Sequence, residues 1–301
     1  MLLRSILLYL SRKKKFAESI MKFSVFNKMA LRFVAGHTIN DAVESAHKLN
    51  QTKITATFDH LGENVLTDEQ AIESANEYIV ILNEINKHKC IANASLKLTQ
   101  MGLDISPSLC LSNVEKIVKR ANELNNFIRI DMESSNYTDL TLDIFQKLRK
   151  QYNNVGIVIQ AYLYRSEKDI DEILKMKGSI RLCKGAYMEP STVAFKKKKE
   201  TDLNFIKLTE KLLLDSEYHA IATHDEKMIQ ATLDIAKKNN VPNNHYEFQM
   251  LYGIRRERQL ELVQQGYNMR IYVPYGKEWY PYFMRRLGER PANIFFILKY
   301  M

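Results

Sequence analysis

Four polar residues near the C-terminus, Tyr282, Arg285, Arg286 and Glu289, are spaced at i, i+3, i+4 and i+7. On a helix that spacing stacks them along one face. Such a face can grip a small carboxylate: one guanidinium binds it in bidentate fashion, the second aims or neutralises, and the glutamate holds either arginine in place. Taken alone, the eight residues Tyr282–Glu289 fit a solvated charged face with one i, i+4 ion pair at least as well. Other chemistries find little support. There is no H-E-x-x-H or clustered Cys/His set, so no metal site is expected, and no G-x-S-x-G supplies a nucleophile elbow. No G-x-G-x-x-G occurs, which excludes a Rossmann route for any dinucleotide.

The elements that must position these groups follow from the alternation after residue 50. Short β-rich runs occur at 54–59, 92–98, 127–132, 156–162, 179–185, 219–224, 246–251 and 269–274, with longer amphipathic runs between them. Thr67 with Gln70, Ser112 with Glu115 and Ser166 with Asp169 read as helix starts. Strands separated by helices imply parallel pairing through right-handed crossovers. The fold class is therefore α/β, a (β/α)8 TIM-type barrel over residues 51–301 with an N-terminal helical appendage over residues 1–50, and a doubly wound open sheet is the runner-up. A barrel's active site lies at the C-terminal ends of its strands. Those ends carry Asp59, Lys97, Asp131, Met132, Glu133, Gln160, Arg181, Lys184, Thr223, His224, Asp225, Gln249 and Tyr272. Burying so many unpaired polar groups is costly, and a ligand at the mouth supplies partners.

Composition bounds the setting. Of 301 residues, 46% are hydrophobic and 26% charged, a globular balance. Three cysteines, Cys90, Cys110 and Cys183, fit free thiols in a reducing, cytoplasmic compartment. Residues 1–50 hold nine Lys/Arg against three Asp/Glu and supply +6 of the net +9. The apolar run 2–10 is too short to span a bilayer, and with the basic residues 12–15 it reads as an amphipathic helix that either visits an anionic inner membrane face or packs on the domain. Nucleic-acid binding is not expected, because no basic stripe interleaved with aromatics occurs.

Several segments match a family pattern in order: Phe58-Asp59-His60-Leu61-Gly62-Glu63, Ser95-Leu96-Lys97-Leu98-Thr99, Arg129-Ile130-Asp131-Met132-Glu133, Arg181-Leu182-Cys183-Lys184-Gly185-Ala186-Tyr187, Ala222-Thr223-His224-Asp225, Glu247-Phe248-Gln249-Met250-Leu251-Tyr252-Gly253 and Tyr282–Glu289. Together they resemble the proline dehydrogenase family, in its monofunctional form. The resemblance implies a noncovalent FAD over the barrel mouth and oxidation of L-proline to 1-pyrroline-5-carboxylate, the first step of proline catabolism to glutamate. A membrane quinone would receive the electrons, and a separate pyrroline-5-carboxylate dehydrogenase would take the product. It further implies that Asp131 and Arg181 are catalytic, and that Lys97, Arg285 and Arg286 hold the substrate carboxylate with Asp59 and Glu289 around them. Tyr272, Tyr282 and Leu251 would flank the ring. Met132, Gln160, Arg181, Lys184, Gly185, Ala186, Thr223 and His224 would contact the cofactor. Alternatives are another flavin barrel, such as a methylenetetrahydrofolate reductase-like enzyme, or a non-enzymatic basic barrel that binds an anionic membrane or partner.

Overall fold

The computed structural model describes residues 31–62 and 65–289, the last five of them by backbone alone. Its strands are β1 (Thr55–His60), β2 (Ala92–Leu96), β3 (Ile128–Ile130), β4 (Val155–Gln160), β5 (Ser179–Cys183), β6 (His219–Ala222), β7 (Tyr246–Leu251) and β8 (Asn268–Tyr275). They pair in parallel, each with the next, and β8 closes on β1 with Phe58 opposite Val273. All the expected strands are present and the doubly wound alternative is excluded, since the sheet is a closed barrel.

The helices are α1 (Ile39–Asn50), α2 (Asp68–Lys87), α3 (Pro107–Glu123), α4 (Thr138–Arg149), α5 (Ser166–Lys175), α6 (Lys198–Leu213), α7 (Glu226–Lys238), α8 (Arg256–Gln264) and α9 (Trp279–Glu289). Helix α1 packs against β1 and β8 and adds Ala42, Val43 and Ala46 to the core. One expected start is misplaced and another lacks its expected cap. Helix α3 begins at Pro107 behind the cap Ser106, whose hydroxyl accepts from the Leu109 amide, so Ser112 lies inside the helix. Proline at the first helical position, needing no N–H partner, is the physical reason. Ser166 opens α5 but caps nothing: its hydroxyl donates to the Gln160 carbonyl at 2.6 Å, and Asp169 turns to Arg165 at 2.7 Å. Thr67 does cap α2. An unread capping box, Thr38 with Asp41, starts α1.

Strand periodicity divides the barrel wall into two faces. Ala56, Phe58, Ala94, Leu96, Ile128, Ile130, Ile157, Ile180, Leu182, Phe248 and Ile271 belong to the buried apolar layer shared with the helices. The alternate positions Thr57, Ser95, Arg129, Gln160, Arg181, Glu247 and Gln249 are just as buried and polar. Hydrogen bonds between non-neighbouring strands, Arg181 to Ser95 and Arg129 to Ser179, place side chains of this second set inside the barrel, where branched apolar layers are the rule.

Candidate active site

At the C-terminal end of the interior, Asp131 is the hub. It follows β3, and its Oδ1 accepts from the Ser95 hydroxyl at 2.6 Å and from Arg181 Nη1 at 2.8 Å. Its Oδ2 accepts from the Tyr272 hydroxyl at 2.7 Å. The Arg181 guanidinium lies 5.2 Å from the centroid of the Tyr272 ring. Burial, with Asp131 beside it, pushes the Tyr272 phenol well above its ordinary pKa, so it stays a donor to the carboxylate. Strands β2, β5 and β8 thus converge on one carboxylate whose position the barrel fixes from three directions.

A second pair lies beside this hub. The Lys97 ammonium donates to both oxygens of Asp59 at 3.0 and 3.1 Å, and Asp59 is 1% exposed. Burial, with the Asp131 charge nearby, raises the Asp59 pKa above its ordinary value against the downward pull of Lys97, whose ammonium meets both carboxylate oxygens. Gln160 donates to the Met132 carbonyl at 3.1 Å.

Hydrogen-bonding capacity is left over. Arg181 is 5% exposed, and its Nε and Nη2 are buried without a hydrogen-bond partner; the Gln160 Oε1 is in the same condition. Buried groups of this kind cost on the order of 1–3 kcal/mol each when nothing meets them. A planar, hydrogen-bonding ligand above the mouth is the kind of molecule that would satisfy them.

The rim is built from the loops that follow. Lys184 pairs with Asp202 and, at 2.8 Å, with Asp225, while Lys198 meets the same two carboxylates. Burial works upward on Asp225, but the bonds from Lys184 and Lys198 outweigh it and hold its carboxyl well below the usual range. Asp225 also caps α7 by accepting from the Lys227 amide. Thr223 accepts from the Asp225 amide at 3.1 Å. The His224 Nε2 accepts from the Leu251 amide at 2.9 Å, which fixes the proton on Nδ1 and joins the β6 and β7 loops. Gly185 has φ +104°, a left-handed conformation suited to glycine.

The structure therefore brings together Asp59, Lys97, Asp131, Met132, Gln160, Arg181 and Tyr272. Lys184, Gly185, Ala186, Thr223, His224 and Leu251 lie on the surrounding loops and strand ends. Tyr282 is buried on α9. Arg285, Arg286 and Glu289 follow on the same helix, and their side chains fall outside the described residues, as do residues 1–30 with the basic N-terminal run. Sequence reading missed Ser95 as a partner of Asp131, although it shares strand parity with Lys97. It also missed Asp202, which lies within α6 and meets Lys184 only through the fold. Among the described residues no His/Cys/Asp/Glu group could hold a metal ion.

Fold and site together define a (β/α)8-barrel enzyme whose mouth carries a buried polar network with hydrogen-bonding atoms still unmet. The model of the proline dehydrogenase family matches residues 42–298, and the chain belongs to that family. It is 44% identical over 301 residues to proline dehydrogenase 2 of Bacillus subtilis, covering 100% of this chain and 99% of that one. It is 36% identical over 278 residues to the proline dehydrogenase of Deinococcus radiodurans, covering 91% and 90%. Among solved structures it resembles proline utilization A from Bdellovibrio bacteriovorus inactivated by N-propargylglycine, with a TM-score of 0.81 and 28% identity. That match covers 86% of this chain and 32% of the longer one.

Proposed function

We propose that this chain oxidises L-proline to 1-pyrroline-5-carboxylate with a noncovalently bound FAD and delivers the electrons to a quinone. The supporting observation is the family match joined to the unmet hydrogen-bonding atoms of Arg181 and Gln160 at the mouth. These fit a flavin ring, whose edge offers acceptors for a guanidinium and a donor for an amide oxygen. Bound FAD would supply a two-electron acceptor for the hydride equivalent leaving the ring carbon next to nitrogen.

In this reading Asp131 and Arg181 are the catalytic pair. Asp131 holds Arg181 through Nη1 at 2.8 Å, so that Nε and Nη2 would be the groups left to meet a bound flavin. Met132, Gln160, Lys184, Gly185, Ala186, Thr223 and His224 are the further cofactor contacts. Lys97, Arg285 and Arg286 bind the substrate carboxylate, with Asp59 and Glu289 orienting them, and Leu251, Tyr272 and Tyr282 enclose the ring. Fixing the carboxylate at one edge sets the reacting carbon at a defined distance from the acceptor, where proximity is worth most. Tyr272 and Tyr282 against the ring would leave little room for a ring hydroxyl, so proline is preferred over hydroxyproline.

Among the described residues no helix is long and apolar enough to cross a membrane. A peripheral visit to an anionic inner membrane face by the basic residues 12–15 would suit a quinone acceptor. The imine product would pass to a separate pyrroline-5-carboxylate dehydrogenase. The test is purified protein under anaerobic conditions: a yellow flavin spectrum should bleach on addition of L-proline. A preparation that takes up no added FAD, or one whose flavin stays oxidised with proline, would sink the proposal.

A further inference from the structure

The loop between β5 and α6 carries Lys184, Gly185 and Ala186, and two side chains that the reaction does not use fasten it. The first is Tyr162, just beyond β4. Its amide donates to the Lys184 carbonyl at 2.9 Å, and its carbonyl accepts from the Phe195 amide at 2.8 Å, so it holds the loop near both ends. Its ring lies directly against Gly185, where an added Cβ would fall 2.2 Å from Cδ1. The second is Glu189. Its Oε1 accepts from the Ser135 amide at 2.8 Å and from the Tyr162 hydroxyl at 3.4 Å, and its Oε2 accepts from the Ser135 hydroxyl. Lys196 donates to the Glu189 carbonyl at 3.0 Å. Burial, then the Glu189 charge, pushes the Tyr162 phenol up, which keeps it a donor.

The placement is selective. Tyr187 and Met188 are 39% and 67% exposed, while the adjacent Glu189 turns its carboxylate to Ser135 and Tyr162. Ser135 opens the 3-10 turn that follows Asp131 and Met132, and Tyr162 follows Gln160. One carboxylate therefore joins the segments after β3, β4 and β5, which carry or adjoin the proposed cofactor contacts Met132, Gln160 and Lys184. Without it, a loop of this length must be ordered at the moment of binding, which costs affinity; held beforehand, it does not.

We propose that Glu189, acting through Tyr162 and Ser135, is a positioning residue that pre-organises the flavin-binding loops. This rests on the FAD reading above. The experiment compares FAD dissociation constants, by flavin fluorescence on titrating apoprotein, for wild type, Glu189→Ala, Glu189→Gln and Ser135→Ala. Glu189→Ala should weaken FAD about tenfold or more, and Glu189→Gln, which keeps one acceptor for the Ser135 amide, should recover part of that loss. The apoprotein's melting temperature should stay near wild type while the rise produced by FAD shrinks. At saturating FAD, the KM for L-proline should stay within about twofold. If Glu189→Ala fails to fold, Ser135→Ala carries the same comparison with a smaller loss. FAD constants within twofold of wild type in all variants would overturn the inference, as would a proline KM that rises as far as the FAD constant. Wild type that binds no FAD would instead overturn the cofactor reading and this inference with it.

Discussion

The two ends of the barrel interior use the same residue types to opposite ends. At the floor, Glu247 accepts from Arg270 Nε at 2.9 and 3.1 Å, from Gln249 and, at 3.3 Å, from the Tyr218 hydroxyl. Arg270 also donates to the Ala56 carbonyl, and Arg129 donates to the Ser179 carbonyl at 2.6 Å and the Ser179 hydroxyl at 3.1 Å while stacking on Phe127. Arg129 keeps one unmet atom, Nε. At the mouth, Arg181 spends one nitrogen on Asp131 and Ser95 and leaves two buried atoms unmet. Burial and charge do not distinguish a site from a structural network here. Unspent hydrogen-bonding capacity at the open end does.

The comparison breaks if floor and mouth variants behave alike. The largest effect should come from Glu247→Ala, which removes the buried carboxylate that the partly buried Arg270 meets. Removing one partner of such a pair costs about 3 to 5 kcal/mol, so urea unfolding should show a loss of that size, with FAD affinity of the folded fraction within about threefold. A floor variant that kept its stability but lost flavin would refute the division. Arg181→Lys should do the reverse. It keeps a charge for Asp131 but removes the guanidinium's planar fork, so kcat should fall about 10² to 10³-fold, the range seen when one fixed donor to a developing charge is lost. Its melting temperature should move by only a few degrees. Equal kcat in the variant would remove Arg181 from the chemistry.

A pH series sharpens the floor's structural character. His219, at the start of β6, accepts from the Ile180 amide through Nδ1 at 3.1 Å and faces Asp215 through Nε2 at 3.1 Å. Burial lowers its pKa to about 4, against the upward pull of Asp215, with Arg129 and His245 also pushing down. The folded state thus binds this proton less readily than the unfolded chain does. Its contribution is present above about pH 6.5 and is lost as pH falls toward 4, a span worth about 3 kcal/mol. The stability gap between wild type and His219→Gln should shrink by about that amount between pH 7 and 4. A constant gap would mean that His219 binds its proton as readily in the fold as in the unfolded chain.

Much of this was legible in the chain. The strands are short apolar runs bounded by turn residues, such as Val155–Gln160, which parallel barrels require on their buried face. Asp131 and Lys97 could be collected because each stands just beyond its strand; Arg181 and Tyr272, read as strand ends, lie within β5 and β8. What escaped was partnership across distance. Ser95 meets Asp131 from a different strand, and Lys184 meets Asp202 and Asp225 from two further elements, so no local spacing records either contact. Local signals also misled where two competed: Ser112 with Glu115 matched a capping pattern, yet Ser106 followed by Pro107 outweighed it.

The smallest and most discriminating change is Tyr272→Phe. Its hydroxyl is the sole described donor to Asp131 Oδ2, at 2.7 Å, whereas Oδ1 keeps both Ser95 and Arg181. Losing it removes one bond to a charged acceptor, worth about 1.5 to 3 kcal/mol in a buried setting. The ring stays, so its stacking with Arg181 persists, and only the space of the hydroxyl is opened. Two outcomes separate two roles. If Tyr272 serves mainly by orienting Asp131 and hence Arg181, kcat should fall about tenfold with the KM for L-proline little changed. If it serves mainly as a pocket wall against a ring hydroxyl, kcat should hold and hydroxyproline should gain on proline in kcat/KM. The 2.7 Å bond favours the first, because a phenol committed to a carboxylate is fixed by the mouth network rather than by the ligand.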